Sequence, residues 1–343
     1  KERHGKGITM LSMLFAFGIA IPFVILEPVG LMWFLDIRHV GLRMTLLAMP
    51  IVNSLRISEA YFGFTPKACK KNLYNFLVFF SCTFSIRFDP KTEKPIPVSS
   101  AYLVQQLKVI GRDFGIMCVV MSILAPYGWE LFETGHEVNS FDHSLLDMFS
   151  WQHLANNLFA TIVLSTSLSQ STTGVSFIFN LLYGYETDAI VLNPMFKSSS
   201  PSDFWGRRWN MVVHTGLKNG AYKPMRKLTN SRILSVLTAF FLSGIIHEYV
   251  NLVLYYEKGI AFEWKQVLFF GWNGILILLE YCLGSFPLFQ WIGKNFPPII
   301  ISILVISSAL PLAHLFLGDY IKFGYFDAVF MAEPVVICQS NFS

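Results

Sequence analysis

The chain has 343 residues, 53% of them hydrophobic and 16% aromatic, with only 14% charged and a formal net charge of +4. Soluble domains carry about 25% charged residues. A mean hydropathy of +0.50, with repeated apolar runs of membrane-spanning length, excludes that class. The expectation is an all-α polytopic transmembrane bundle of about eight spans plus re-entrant or interfacial segments, enclosing an intramembrane cavity. It would form one membrane-embedded domain over 1–343. The lipid bilayer is its expected partner and nucleic acid is not, and nothing in the composition sets an oligomeric state. Five scattered cysteines (Cys69, Cys82, Cys118, Cys282 and Cys338) hold no CxxC pair, so neither a disulfide framework nor a zinc site is expected.

In chain order, residues 1–7 are basic, 8–26 form a first apolar segment with Pro22, and 40–58 form a second around Pro50. A connector over 59–72 carries Lys67, Lys70 and Lys71. The run 73–86 is strongly apolar but short, which suits a re-entrant or interfacial segment. A polar, Pro-rich loop follows, and then apolar segments at about 114–132, 149–168, 173–190, 233–256, 264–283 and 298–318. Between Asp113 and Phe196 there is no Lys or Arg, and the loop inside carries Glu133, Glu137, Asp142 and Asp147. By contrast, 197–232 holds Lys197, Arg207, Arg208, Lys218, Lys223, Arg226, Lys227 and Arg232 against Asp203 alone. The positive-inside rule therefore puts 197–232, 59–72 and 87–112 on the cytoplasmic side and 133–147 on the far side. That assignment does not let 149–168 and 173–190 both be full spans, so one of them is expected to be broken, re-entrant or buried in the bundle.

The stretch that organises the chain runs from Asp203 to Asn251. It opens with Phe204-Trp205-Gly206-Arg207-Arg208-Trp209-Asn210 and reaches an apolar run carrying Ser243-Gly244-Ile245-Ile246-His247-Glu248. A His-Glu pair deep in a hydrophobic helix is costly in hydrocarbon and marks a functional site by default. Ser243, His247 and Asn251 fall at i, i+4 and i+8, one polar stripe on an apolar cylinder. His247 with a pKa near neutrality is suited to act as general base for an alcohol. Glu248 is read either as a group that orients the local network or as a structural partner. Phe204, Trp205 and Trp209 beside Arg207 and Arg208 read either as an aromatic belt with lipid contact or as a binding site for a phosphorylated ligand. Asn210 and His214, at i and i+4, add polar groups that reach towards the same cavity. Pro194, Pro201 and Pro224 predict short or irregular helices around them.

Together, Ser202 to Asn210, Tyr222-Lys223-Pro224 and Ser243-Gly244-x-x-His247-Glu248 resemble the wax synthase branch of the membrane-bound O-acyltransferase superfamily. They are similar, less closely, to the diacylglycerol and sterol acyltransferases. The departure that matters is Gly206-Arg207-Arg208, which favours the wax synthase branch. The resemblance implies a fatty acyl-CoA donor, a hydrophobic alcohol acceptor, and His247 as the base that deprotonates the hydroxyl. It further implies Asn210 as the second polar site residue, no cofactor, no metal, and residence in the endoplasmic reticulum membrane.

Rival readings remain open at this level. Diacylglycerol, a sterol or a terpenoid alcohol is an alternative acceptor, and a transporter with His247 and Glu248 as a proton relay is an alternative class. His143-x-x-x-Asp147 matches the HxxxD pattern of unrelated acyltransferases, and four residues apart on a helix the two side chains would meet. That pair falls in the acidic loop, away from cytoplasmic acyl-CoA. His136, His143 and His153 with Asp142 show no diagnostic metal-ligand spacing.

Overall fold

A computed structural model describes residues 10–137 and 143–330. The basic residues 1–7, Asp142 and Cys338 lie outside them. The described residues are helical throughout, with only isolated β-bridges between loops. The principal helices are α1 (Met10–Phe34), α2 (Val40–Tyr61), α3 (Leu73–Ser81), α4 (Ser100–Leu124), α5 (Trp151–Tyr183) and α6 (Pro201–Arg207). After them come α7 (Met211–Leu217), α8 (Lys223–Thr229), α9 (Arg232–Tyr255), α10 (Lys265–Leu283), α11 (Pro298–Ala309) and α12 (His314–Lys322).

Among the described residues five helices are long and apolar enough to cross a membrane: α1, α2, α4, α9 and α10. The α11–α12 pair, bent by 68°, makes a sixth if it counts as one span. The separate segments 149–168 and 173–190 are one continuous helix of 33 residues, α5, about 50 Å long at 1.5 Å per residue and ample to cross a core of about 30 Å. The polar run Ser165–Thr173, which separated the two segments in the sequence, is helical, and much of it is buried. Within that run Thr166, Ser171 and Thr172 donate to carbonyls one turn back on α5 itself, at 2.7, 2.7 and 2.5 Å, and Thr166 also meets the Met117 sulfur of α4 at 2.7 Å; further along, Gln106 of α4 donates to Ser176 at 3.2 Å and Asn180 donates to Gln106 at 2.9 Å. Polar groups inside hydrocarbon must be satisfied within the protein, and a helix–helix seam does that. As one helix, α5 sets the described part of the acidic segment before it and the basic region after it at its opposite ends.

Contacts at each end agree with this arrangement. At one end of the bundle Arg43, 1% exposed, donates to the carbonyls of Ile37 (2.7 Å) and Leu254 (3.0 Å) and pairs with Glu257 at 2.9 Å, while Lys322 pairs with Glu137 at 2.8 Å. At the other end Asn219 donates to Glu59 at 3.0 Å, and the Ser58 hydroxyl donates to the Gly220 carbonyl at 2.6 Å. Arg56 donates to the carbonyls of Phe79 and Cys82, satisfying the C-terminal end of the short apolar helix α3. The Pro-rich loop folds back on the end of α5, where Arg87 pairs with Glu186 at 2.6 Å. Part of the expected 87–112 loop is helical, because Ser99 caps α4 by accepting from the Tyr102 backbone N–H.

The prolines near 190–230 do mark short helices, and α7 runs on through a π-helical turn, Lys218–Tyr222, into α8. That turn packs on α2 so closely that a Cβ on Gly220 would lie 2.7 Å from the Leu55 carbonyl oxygen. Helices α9 and α10 are also pressed together: a Cβ on Gly244 would come 2.5 Å from the Val267 Cα. Gly244→Ala must separate two backbones. It is expected to cost about 1–3 kcal/mol and lower the thermal midpoint of the detergent-solubilised protein. Gly271→Ala, with nothing within 4 Å of the added carbon, serves as the control. Equal midpoints for the two variants would contradict the close seam.

Candidate functional site

Helix α9 starts at a Ser231 cap, whose hydroxyl accepts from the Leu234 N–H at 3.2 Å, and presents one face to a cavity of about 430 Å³. That face is Arg232, Val236, Ala239, Phe240, Ser243 and His247, at helical spacing. From Arg232 to His247 the helix rises about 22 Å. The cavity therefore runs from a rim at the Arg232 end of α9 down to His247, deep in the bundle. Short helices α6 and α7 close one side with Trp205, Trp209, Asn210 and His214, and α10 closes another with Phe270, Ile277 and Tyr281.

The geometry at His247 sets its tautomer. Nδ1 lies 2.7 Å from the Ser243 carbonyl oxygen, one turn back on the same helix. A carbonyl only accepts, so Nδ1 carries the proton and Nε2 keeps its lone pair. The ring is stacked on Phe270, centroids 4.4 Å apart and planes at 28°, with Phe316 edge-on at 5.4 Å. No described residue hydrogen-bonds Nε2, which leaves the basic nitrogen for whatever enters the cavity. Asn210 caps α7, its Oδ1 accepting from the Val213 N–H at 3.2 Å. Its Nδ2 hydrogens remain as donors beside the cavity. Burial, and then the nearby Lys218 ammonium, push His214 down to about 4, so at neutral pH it is an uncharged wall group.

Of the residues singled out from the sequence, the structure brings His247, Asn210, Trp205, Trp209, His214 and Ser243 around one cavity. It places the others elsewhere. Glu248 turns to the neighbouring helix, its Oε1 accepting from the Gln266 N–H at 2.9 Å. Successive residues on a helix diverge by about 100°, so adjacency in the chain does not make Glu248 a partner of His247. It supplies the N-terminus of α10 with the carboxylate cap that Trp264 cannot. Of the two readings of Glu248, structural partner is the one this geometry favours, and the His-Glu relay behind the transporter alternative loses its basis. Asn251 donates to Asp319 at 2.8 Å and ties α9 to α12. Phe204 stacks on Trp209, centroids 5.3 Å apart at 18°, outside the cavity.

Arg207 and Arg208 do not enter the cavity either. Arg208 bonds Asp203 at 2.6 Å and the Leu192 carbonyl at 3.3 Å, and the largely exposed Arg207 faces away with Asp203 at 3.9 Å. The cations at the rim are Lys218 and Arg232, with Tyr222 and Tyr281 between them. The Arg232 guanidinium sits 3.7 Å from the centre of the Tyr281 ring. The sequence held a signal for Arg232: it begins the i, i+4, i+7, i+11, i+15 series that ends at His247.

Away from this cavity, His143 and Asp147 do not meet as an HxxxD pair. His143 precedes the cap Ser144, and Asp147 accepts from the Ser144 N–H at 3.0 Å and contacts His136 at 3.3 Å. His136, His143, His153 and His314 pack ring against ring, with centroids 4.5–4.9 Å apart. Among the described residues no group of three or more His, Cys, Asp or Glu side chains is arranged to hold a metal ion.

Residues 190–272 match the model of the membrane bound O-acyl transferase family. Acyl-CoA--sterol O-acyltransferase 1 of Arabidopsis thaliana is 31% identical over 135 residues, 37% of this chain and 37% of that protein. Two further Arabidopsis thaliana proteins match. Probable long-chain-alcohol O-fatty-acyltransferase 8 is 35% identical over 26% of this chain and 27% of its own length. Probable long-chain-alcohol O-fatty-acyltransferase 9 is 38% identical over 24% and 26%. The matches thus span well under half the length of these relatives. The family match, residues 190–272, takes in most of the residues that line the cavity.

Proposed function

We propose that the protein is an acyl-CoA:alcohol O-acyltransferase that esterifies a long-chain alcohol to give a wax ester. The observation that carries this reading is the open Nε2 of His247 on an apolar cavity whose cytoplasmic rim is cationic. The alcohol hydroxyl gives its proton to Nε2 as its oxygen attacks the thioester carbonyl. The new C–O bond forms, the C–S bond breaks, and the departing thiolate takes the proton back from His247. Asn210 Nδ2 is the donor for the negative charge that gathers on the carbonyl oxygen. Lys218 and Arg232 are suited to the phosphates of CoA, in place of Arg207 and Arg208. The chemistry asks for no cofactor and no metal, and the endoplasmic reticulum membrane is the proposed location. A sterol acceptor is the second reading, supported by the sterol acyltransferase among the relatives.

Membranes expressing the chain, given labelled palmitoyl-CoA with hexadecanol or a sterol, test both. Ester from hexadecanol supports the first reading, ester from the sterol alone supports the second, and no ester from either contradicts both. His247→Ala is expected to lower turnover by about 10²–10⁴-fold while acyl-CoA still binds; retained turnover would remove His247 from the role of base. Reversing charge at Lys218 and Arg232 is expected to raise the KM for acyl-CoA by about tenfold or more, with little change for the alcohol. Arg207→Glu, outside the cavity, is expected to leave both constants near wild type. Should Arg207→Glu act like the rim variants, the rim assignment is wrong.

A further inference from the structure

Behind the wall of the His247 cavity lies a second, smaller one of about 40 Å³, between α5, α6, α10, α11 and the start of α12. Its lining is nearly all apolar, including Leu164, Ile306, Ala309 and Leu317. Apolar cavities of this kind stay dry and accept hydrocarbon. Trp205 and Trp209 line both cavities. Trp209 is 9% exposed and clamped flat on Phe204. Trp205 stands edge-on to Phe240, Phe269 and Phe270 at 5.6–6.3 Å, and its indole N–H donates to Asn273 at 2.9 Å. Asn273 is in turn fixed by donating to the Phe269 carbonyl at 2.9 Å. The second cavity is also near the reactive nitrogen. Phe316, part of its lining, touches the His247 ring, and Phe270, on which His247 stacks, touches Trp205.

We infer that Trp205 is a specificity-determining partition: its indole, latched to Asn273, sets how long a hydrophobic chain the His247 cavity seats. The inference rests on the proposed function, in which the substrates of His247 carry long hydrocarbon chains. With the indole in place, a chain lying along the wall ends at the ring. Without it, the two cavities join and added methylenes enter apolar space instead of water. Each methylene newly buried strengthens binding about fourfold.

The test is binding of saturated primary alcohols from dodecanol to docosanol to the full chain in detergent, read as the shift in thermal midpoint. For wild type the gain with length is expected to stop at a definite alcohol. For Trp205→Ala it is expected to continue over at least two further methylenes, at about fourfold in affinity each. Ala309→Phe, which fills the second cavity from its other wall, is expected to return Trp205→Ala to the wild-type cut-off. Trp205→Leu, with more of the wall retained, gives the same comparison if the alanine variant does not fold. Identical length profiles for wild type and the Trp205 variants, an extension that Ala309→Phe leaves untouched, or no stabilisation by any alcohol would each overturn the inference. Binding needs neither acyl-CoA nor turnover. An extended length profile without ester formation would therefore refute the proposed reaction and uphold the partition, and ester formation without the extension would do the reverse.

Discussion

Everything in this molecule answers to the cost of keeping an imidazole inside hydrocarbon. An unpartnered polar group there costs several kcal/mol, and His247 meets that demand with one nitrogen only. The Ser243 carbonyl, a turn behind it, takes the Nδ1 proton. That single bond orients the ring on Phe270, selects the tautomer and leaves Nε2 as the reactive atom. A base so placed needs a cavity around it, and the cavity needs walls that hold their shape. Trp205, Trp209 and Asn210 come from helices too short to stand alone, so neighbours hold them. Glu280 accepts from the Ser202 backbone and hydroxyl, both at 2.7 Å, while Ser58 and Glu59 hold the π-helical turn beyond α7.

The same constraint explains residues that looked catalytic and are not placed to be. Polar groups in a bundle interior are expensive, so those that persist either face the cavity or bind another helix. Glu248 and Asn251 do the second, fastening α10 and α12 to α9. Arg208 likewise spends its guanidinium on Asp203 and the Leu192 carbonyl, fixing the end of α6. These residues keep His247 in register with its walls without touching what the cavity holds.

How much of this could be read from the chain depended on the kind of signal. Apolar runs with bounded length placed α2, α9 and α10 to within a few residues. The segments 149–168 and 173–190 were read as separate because hydropathy dips at a run of Ser and Thr, and hydropathy cannot show that such hydroxyls bond carbonyls one turn back and leave the helix unbroken. The i, i+4 rule caught Ser243 with His247, and extended towards Arg232 it would have reached the rim. It also drew in Asn251, because one stripe can serve two neighbours along its length. Arg207 and Arg208 were expected in the site on charge and adjacency to tryptophan, and neither feature fixes the direction of a side chain. The second cavity and the role of Trp205 depend on α11 and α12, about a hundred residues on, and no local pattern announces them.

The central claim is that acyl donor enters from the cytoplasmic rim and reacts on the floor where His247 sits. Photocrosslinking tests it most directly, with a fatty acyl-CoA carrying a diazirine on the acyl carbon next to the thioester, followed by peptide mapping. The account predicts labels on the cavity faces of α6, α7 and α9, between Trp205 and His214 and between Phe240 and His247, competed by unlabelled acyl-CoA. Competed labelling of the far-side loop around His143 and Asp147, with the cavity faces unmarked, would contradict it.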